Sequence, residues 1–170
     1  MKSNPMLTRR FSLAYLALPL LVGVVSANLH SAPRRDNEQE LLARLQSEQN
    51  PMKKAKYGVR LGRIKLLEAR EAYEKENYEE GQRLLSVYLE HIRNSWSVLQ
   101  KSGRQAVKQP QGFKELDIAL REDIRTLDDL AHRISFMDRD PVLRTSKEIE
   151  EIRNKVLKEL FPSEKPKGKG

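Results

Sequence analysis

Apolar and small side chains return at helical spacing through most of the chain. Ala55, Val59, Gly62, Leu66, Ala69 and Tyr73 recur at intervals of 4, 3, 4, 3 and 4 residues. Leu85, Leu89, Ile92, Trp96 and Leu99 repeat at 4, 3, 4 and 3, with Leu84 and Tyr88 widening the stripe. Such spacing puts each set on one face of a helix and marks a seam against another helix. The first seam predicts a helix over about Pro51–Glu76, opened by Asn50 as N-cap with Pro51 at the first helical position. The second predicts a helix over about Tyr78–Ala106. Only Asn77 breaks the pattern between them, so the two should fold back as an antiparallel αα-hairpin.

Three further segments carry the same period. Leu41, Leu42 and Leu45 give one apolar edge to a short helix from Asp36 to near Asn50, and Asp36 with Gln39 has capping-box spacing. Lys108-Gln109-Pro110-Gln111-Gly112 is a linker. Beyond it, Phe113, Leu116, Leu120, Ile124, Leu127, Ala131 and Ile134 predict a helix over about Phe113–Met137, stopped by Asp138-Arg139-Asp140-Pro141. The last helix has Ile149, Ile152, Val156 and Leu160 inward. It begins at Pro141, or at Ser146 if Thr145 and Glu148 form a second capping box. No segment alternates with period two long enough to make a strand. The expected fold is therefore all-α: an antiparallel bundle of about five helices built on a long αα-hairpin, spanning residues 36–161.

The first 27 residues follow a different pattern. Lys2, Arg9 and Arg10 precede an apolar run from Phe11 to Val25, and Val25-Ser26-Ala27 supplies small residues at a cleavage position. That order is the pattern of a secretory signal, cut after Ala27, and implies export to the periplasm or beyond. Thr8-Arg9-Arg10-Phe11-Ser12-Leu13 resembles a twin-arginine export motif, with Ser12 where a hydrophobic residue is usual. Paired basic residues in the leading segment account for it more simply. The alternative is an uncleaved anchor in the inner membrane, since Phe11–Ala27 is 17 residues, at the lower limit for crossing a bilayer. Residues 28–35 are a polar lead-in without periodicity. Residues 162–170 are a Lys/Gly/Pro-rich tail of the composition expected of disorder.

The turn between the second and third helices resembles one tetratricopeptide unit, on Ala69, Tyr73, Asn77, Tyr78, Gly81 and Leu85. The resemblance covers about residues 59–92. It implies close helix approach at Ala69 and Gly81, with Tyr78 plugging the end of the hairpin. No second copy follows at a 34-residue period, so it does not imply the concave peptide-binding solenoid of tandem repeats.

Composition narrows the chemistry. The 170 residues include no cysteine, which excludes thiol catalysis, Cys-ligated zinc, iron–sulfur clusters, covalent c-type haem, disulfides and a lipid-modified cysteine. Export without disulfides points to a bacterial protein. The histidines are His30, His91 and His132, and Asp129 with His132 makes one carboxylate-x-x-His pair, where a di-iron bundle needs two such pairs and further inward glutamates. No Gly-x-Ser-x-Gly elbow or glycine-rich phosphate loop occurs. The paired carboxylates Glu79-Glu80, Glu122-Asp123 and Asp128-Asp129 fall mostly off the apolar stripes, as solvated faces do. Trp96 sits in a seam and is expected to be core. No enzyme, metal or cofactor is expected.

Charge is the remaining signal. The full chain carries +8; removing Lys2, Arg9 and Arg10 leaves 29 basic against 24 acidic residues, or about +5. Lys53, Lys56, Arg60 and Arg63 lie 3, 4 and 3 residues apart on one edge of the second helix, with Lys54, Lys65 and Arg70 nearby. Glu68 is the only acid between Lys53 and Arg70, whereas Glu71–Glu80 holds five glutamates and one lysine. One reading is a surface for an anionic partner, either another protein or an envelope component. The other is neutralisation within the fold by the acids of the fourth helix, Glu115, Asp117, Glu122, Asp123, Asp128 and Asp129. Export argues against nucleic acid as the ligand, despite a pI of 9.7. The expectation is a non-enzymatic exported protein that acts by binding, as an adaptor, assembly factor or chaperone-like protein. Its alternative is a structural protein of the cell envelope, anchored by residues 1–27 with the bundle outside.

Overall fold

A computed structural model of the chain describes residues 38–162. The candidate signal, the lead-in, Asp36 and the tail from residue 163 lie outside the described residues. Among the described residues there are five helices and no strand: α1 (Glu38–Ser47), α2 (Pro51–Glu74), α3 (Tyr78–Lys101), α4 (Gln111–Arg133) and α5 (Asp140–Leu160). None of them is long and apolar enough to cross a membrane.

The caps explain most of the boundaries. Asn50 Oδ1 accepts from the Met52 amide at 3.0 Å, with Pro51 opening α2. At the other end, the Glu76 amide donates to the Tyr73 carbonyl at 3.0 Å and the Asn77 amide to that of Ala72 at 2.9 Å. These paired bonds form a Schellman motif. Its left-handed position falls on Glu76, at φ 60°, so α2 stops two residues before the expected Glu76. Asn77 then caps α3, accepting from the Glu80 amide at 3.4 Å. One asparagine thus closes one helix and opens the next.

Other boundaries also depart from expectation or are decided by the structure. α3 ends at Lys101 rather than Ala106, because Ser102 Oγ donates to the Leu99 carbonyl at 2.6 Å and Gly103 takes φ +69°; Ala106 is instead tucked into the core from the loop. α4 ends at Arg133 rather than Met137. Past Ile134 the apolar Phe136 and Met137 are left exposed, and the Asp138 amide donates to the Ser135 carbonyl at 3.1 Å, closing a turn. α5 starts at Asp140 with Pro141 in its first turn. Thr145 is no cap: it is buried and its hydroxyl donates back to the Pro141 carbonyl at 2.9 Å. α1 also stops early, at Ser47.

α2 and α3 form one antiparallel hairpin and α4 and α5 a second. Lys56 reaches Glu115, Arg63 reaches Asp123, and Glu74 lies 3.7 Å from Arg133. Partner numbers rise together along both helices, so α2 and α4 run parallel. The hairpins therefore stack side by side in the same sense, with α5 against α3 and α1 lying on α2. Every seam position named for α2 and α3 is buried, and one continuous core joins all four long helices. Trp96 meets Phe113 edge-on, centroids 6.3 Å apart. At the hairpin turn a Cβ on Gly81 would lie 2.6 Å from the Tyr73 ring, so only glycine permits this approach.

Candidate functional site

The four cations of the α2 stripe, equivalent in the sequence, are separated by the fold. Lys53 is exposed and makes no ion pair among the described residues. Lys56 lies 3.6 Å from Glu115, both about half exposed, a geometry that contributes little stability. Arg60 is exposed. Arg63 is drawn into the fold. Its Nε donates to Asp123 Oδ1 at 2.9 Å, and its Nη2 donates to the Ala119 carbonyl at 3.0 Å and to Glu122 Oε2 at 2.6 Å.

Asp123 is among the α4 acids expected to neutralise the stripe, and it pairs with Arg63; what sequence reasoning missed is its burial, since Glu122-Asp123 reads as a solvated pair and Asp123 is 3% exposed. Its second oxygen accepts from the Tyr88 hydroxyl at 3.1 Å. Burial raises its carboxyl to about 6, against the opposing pull of Arg63 and the Tyr88 hydrogen bond. Burial and the nearby carboxylate push the Tyr88 phenol well up. Burial also works against the charge of Arg63, but Asp123 and Glu122 outweigh it and keep the guanidinium protonated. Position 123 lies between Leu116, Ala119 and Leu120 on one side and Leu127 on the other, so helical period alone placed it near the inward face. Its carboxylate identity was the misleading feature.

Above this cluster, α2 and α4 leave a trough. A hollow of about 340 Å³ has Ala55, Val59, Leu116 and Ala119 as an apolar floor. Lys56, Arg60 and Arg63 form one wall, facing Glu115. A second hollow of about 560 Å³ shares Met52, Glu115 and Ile118 with the first and adds Arg104 and Lys114. The two hollows adjoin at these shared residues; Lys56 lies against Glu115 and Arg63 is held by Glu122 and Asp123, while Arg60, Arg104 and Lys114 complete the basic lining. Gly112 packs tightly at the start of α4: a Cβ there would sit 3.1 Å from both the Met52 and Leu99 side chains, which would have to give by a few tenths of an ångström. Ile118, 47% exposed, projects where the hollows meet.

No family model, no curated protein and no solved structure matches the chain. The functional reading rests on this geometry.

The trough suits recognition better than proton chemistry. Both oxygens of Asp123 are already hydrogen-bonded and lie beneath Arg63. Other titratable groups are dispersed. His91 is half-buried, and burial lowers its pKa; it lines a separate hollow of about 440 Å³ between α1, α2 and α3. His132 Nδ1 lies 2.7 Å from the Asp128 carbonyl in its own helix. Among the described residues no three His, Asp or Glu side chains converge as a metal site requires.

Proposed function

We propose that this chain is an exported helical protein that works by binding, as an adaptor, assembly factor or chaperone-like protein. Its partner is an acidic segment of another protein, seated in the trough between α2 and α4. The observation that carries this reading is the exposed Ile118 set among Lys56, Arg60, Arg104 and Lys114, beside an Arg63 already held by Glu122 and Asp123. An apolar anchor of the partner would cover Ile118, 47% exposed, and that burial would contribute to the affinity. The cations would set orientation and speed encounter, so the association should weaken with salt. The location rests on the charge–apolar–small order of Lys2 to Ala27.

The structure changes how this reading is tested. Reversing Arg63 would remove the partner of a buried carboxylate, so loss of binding could follow from loss of fold. The informative variant is Lys56→Glu with Arg60→Glu, at exposed positions. Full-length and double-variant proteins would each be used as bait in envelope extract at low and high salt. A discrete partner retained by the parent at low salt, released at high salt and absent from the variant supports the reading. The same proteins retained by both baits would refute it.

A further inference from the structure

The charge reading of α4 changes once its contacts are known. By sequence it is the acidic helix. In the fold most of its acids are engaged: Glu115 with Lys56, Asp117 with Arg153, Glu122 and Asp123 with Arg63, and Asp128 with the Ser146 hydroxyl. The outward face carries Glu122 and Asp129 together with two arginines. Arg121 and Arg125 are exposed and make no ion pair among the described residues. They are one turn apart on one helix face, where like charges repel, and the charge of Glu122 beside them, whose carboxyl both arginines help to lower, offsets only part of that repulsion.

On the side of α4 away from the trough, these two arginines line a hollow of about 330 Å³ shared with α5. Arg153 and Asn154 form its opposite wall and Ile124 its floor, with Glu150 at its edge. Arg153 is held in place: its Nε donates to Asp117 Oδ1 at 2.8 Å, both groups being largely shielded from water. One guanidinium edge is thus fixed and the other is left to the hollow. Glu150 makes no ion pair with any of the three arginines.

From this arrangement we infer that the α4–α5 hollow is an oxyanion site, formed by Arg121, Arg125 and Arg153 with Asn154, and that its ligand is a tetrahedral phosphate group. Planar guanidinium forks recognise such a group through paired N–H donors, which ammonium groups do not provide. Three of them around one space exceed what a carboxylate can accept. The Asn154 amide adds an uncharged donor. The volume is at the lower end for small-molecule sites and suits a headgroup or a free anion rather than a folded partner. The site is separate from the trough and does not depend on the trough's reading.

The test is titration of the full chain with inorganic phosphate, followed by amide and arginine side-chain NMR in about 0.15 M salt. A parallel arm floats the protein with phosphatidylcholine vesicles containing or lacking phosphatidate. Saturable shifts at Arg121, Arg125 and Arg153 are expected, weakened about tenfold or more in the Arg121→Gln, Arg125→Gln variant. The Lys56→Gln, Arg60→Gln variant should bind phosphate as the parent does. Flotation with phosphatidate only would assign the group to a lipid headgroup; phosphate binding without flotation would assign it to a soluble anion. Shifts that chloride reproduces at equal ionic strength, or that persist unchanged without Arg121 and Arg125, would overturn the inference, as would the absence of saturation.

Discussion

Replacing Asp123 with Asn should flatten the acid side of the stability profile. The carboxyl is raised from 3.8 to about 6, chiefly by burial. Arg63 of α2 and Tyr88 of α3 oppose the shift, and Glu122 of its own helix adds to it. A folded-state pKa above the unfolded one means that the folded protein holds a proton the unfolded chain has released. Its stabilising effect is complete below about pH 4 and is lost as pH rises through about 6. At about 1.4 kcal/mol per unit, the loss is about 2–3 kcal/mol across that window. Asn in the same place keeps the local bonds: its oxygen accepts from Arg63 and its amide donates to the Tyr88 oxygen. Urea denaturation of parent and Asp123→Asn at half-unit steps from pH 4 to 7.5 reads the difference directly, because other carboxylates cancel between the two. The variant should gain on the parent as pH rises through the window. Parallel profiles would show that the carboxyl is not raised. A variant that falls further behind with rising pH would show that the Arg63 ion pair outweighs burial, and the account of this cluster would be wrong.

Other outcomes follow from the same geometry. Leu85→Ala or Ile92→Ala, each emptying a fully enclosed seam position, should cost about 2–5 kcal/mol by chemical denaturation; losses under about 1 kcal/mol would mean the core was misplaced. Gly81→Ala should destabilise by about 1–3 kcal/mol because its Cβ would meet the Tyr73 ring. Gly103→Ala has free space around it and should cost only the left-handed backbone penalty of about 1–2 kcal/mol; a larger loss there than at Gly81 would contradict the steric account. Mass spectrometry of the protein recovered from its host should find an N-terminus at Asn28, and recovery of the intact chain from the cytoplasm would refute export.

The helical seams were legible because burial imposes a period. A position that must face α3 from α2 recurs every three or four residues, whatever else the sequence does. The helix ends were less legible because they depend on single contacts. Glu76 adopts a left-handed conformation without being glycine, and Ser135 competes for the backbone where the apolar period has only just lapsed. The basic stripe was legible as a pattern but not as a site. Nothing in the local sequence distinguishes Arg63 from Arg60; the difference is that α4 brings Asp123 beneath one of them. Asp123 itself could not be recognised as buried without Arg63 and Tyr88, which lie 60 and 35 residues away in the chain. For the same reason the α4 arginines emerged only once the acids around them had been assigned to partners on α2 and α5.

The trough is tested most directly by placing a photo-crosslinking residue at Ile118, where its two hollows meet, in the intact cell. Leu67, also 47% exposed but on none of the trough walls, serves as the control position. The account expects a discrete adduct from position 118 that is absent from position 67 and disappears when Lys56 and Arg60 are reversed to Glu. Identical adducts from both positions, or an adduct at 118 that survives the reversal, would contradict it.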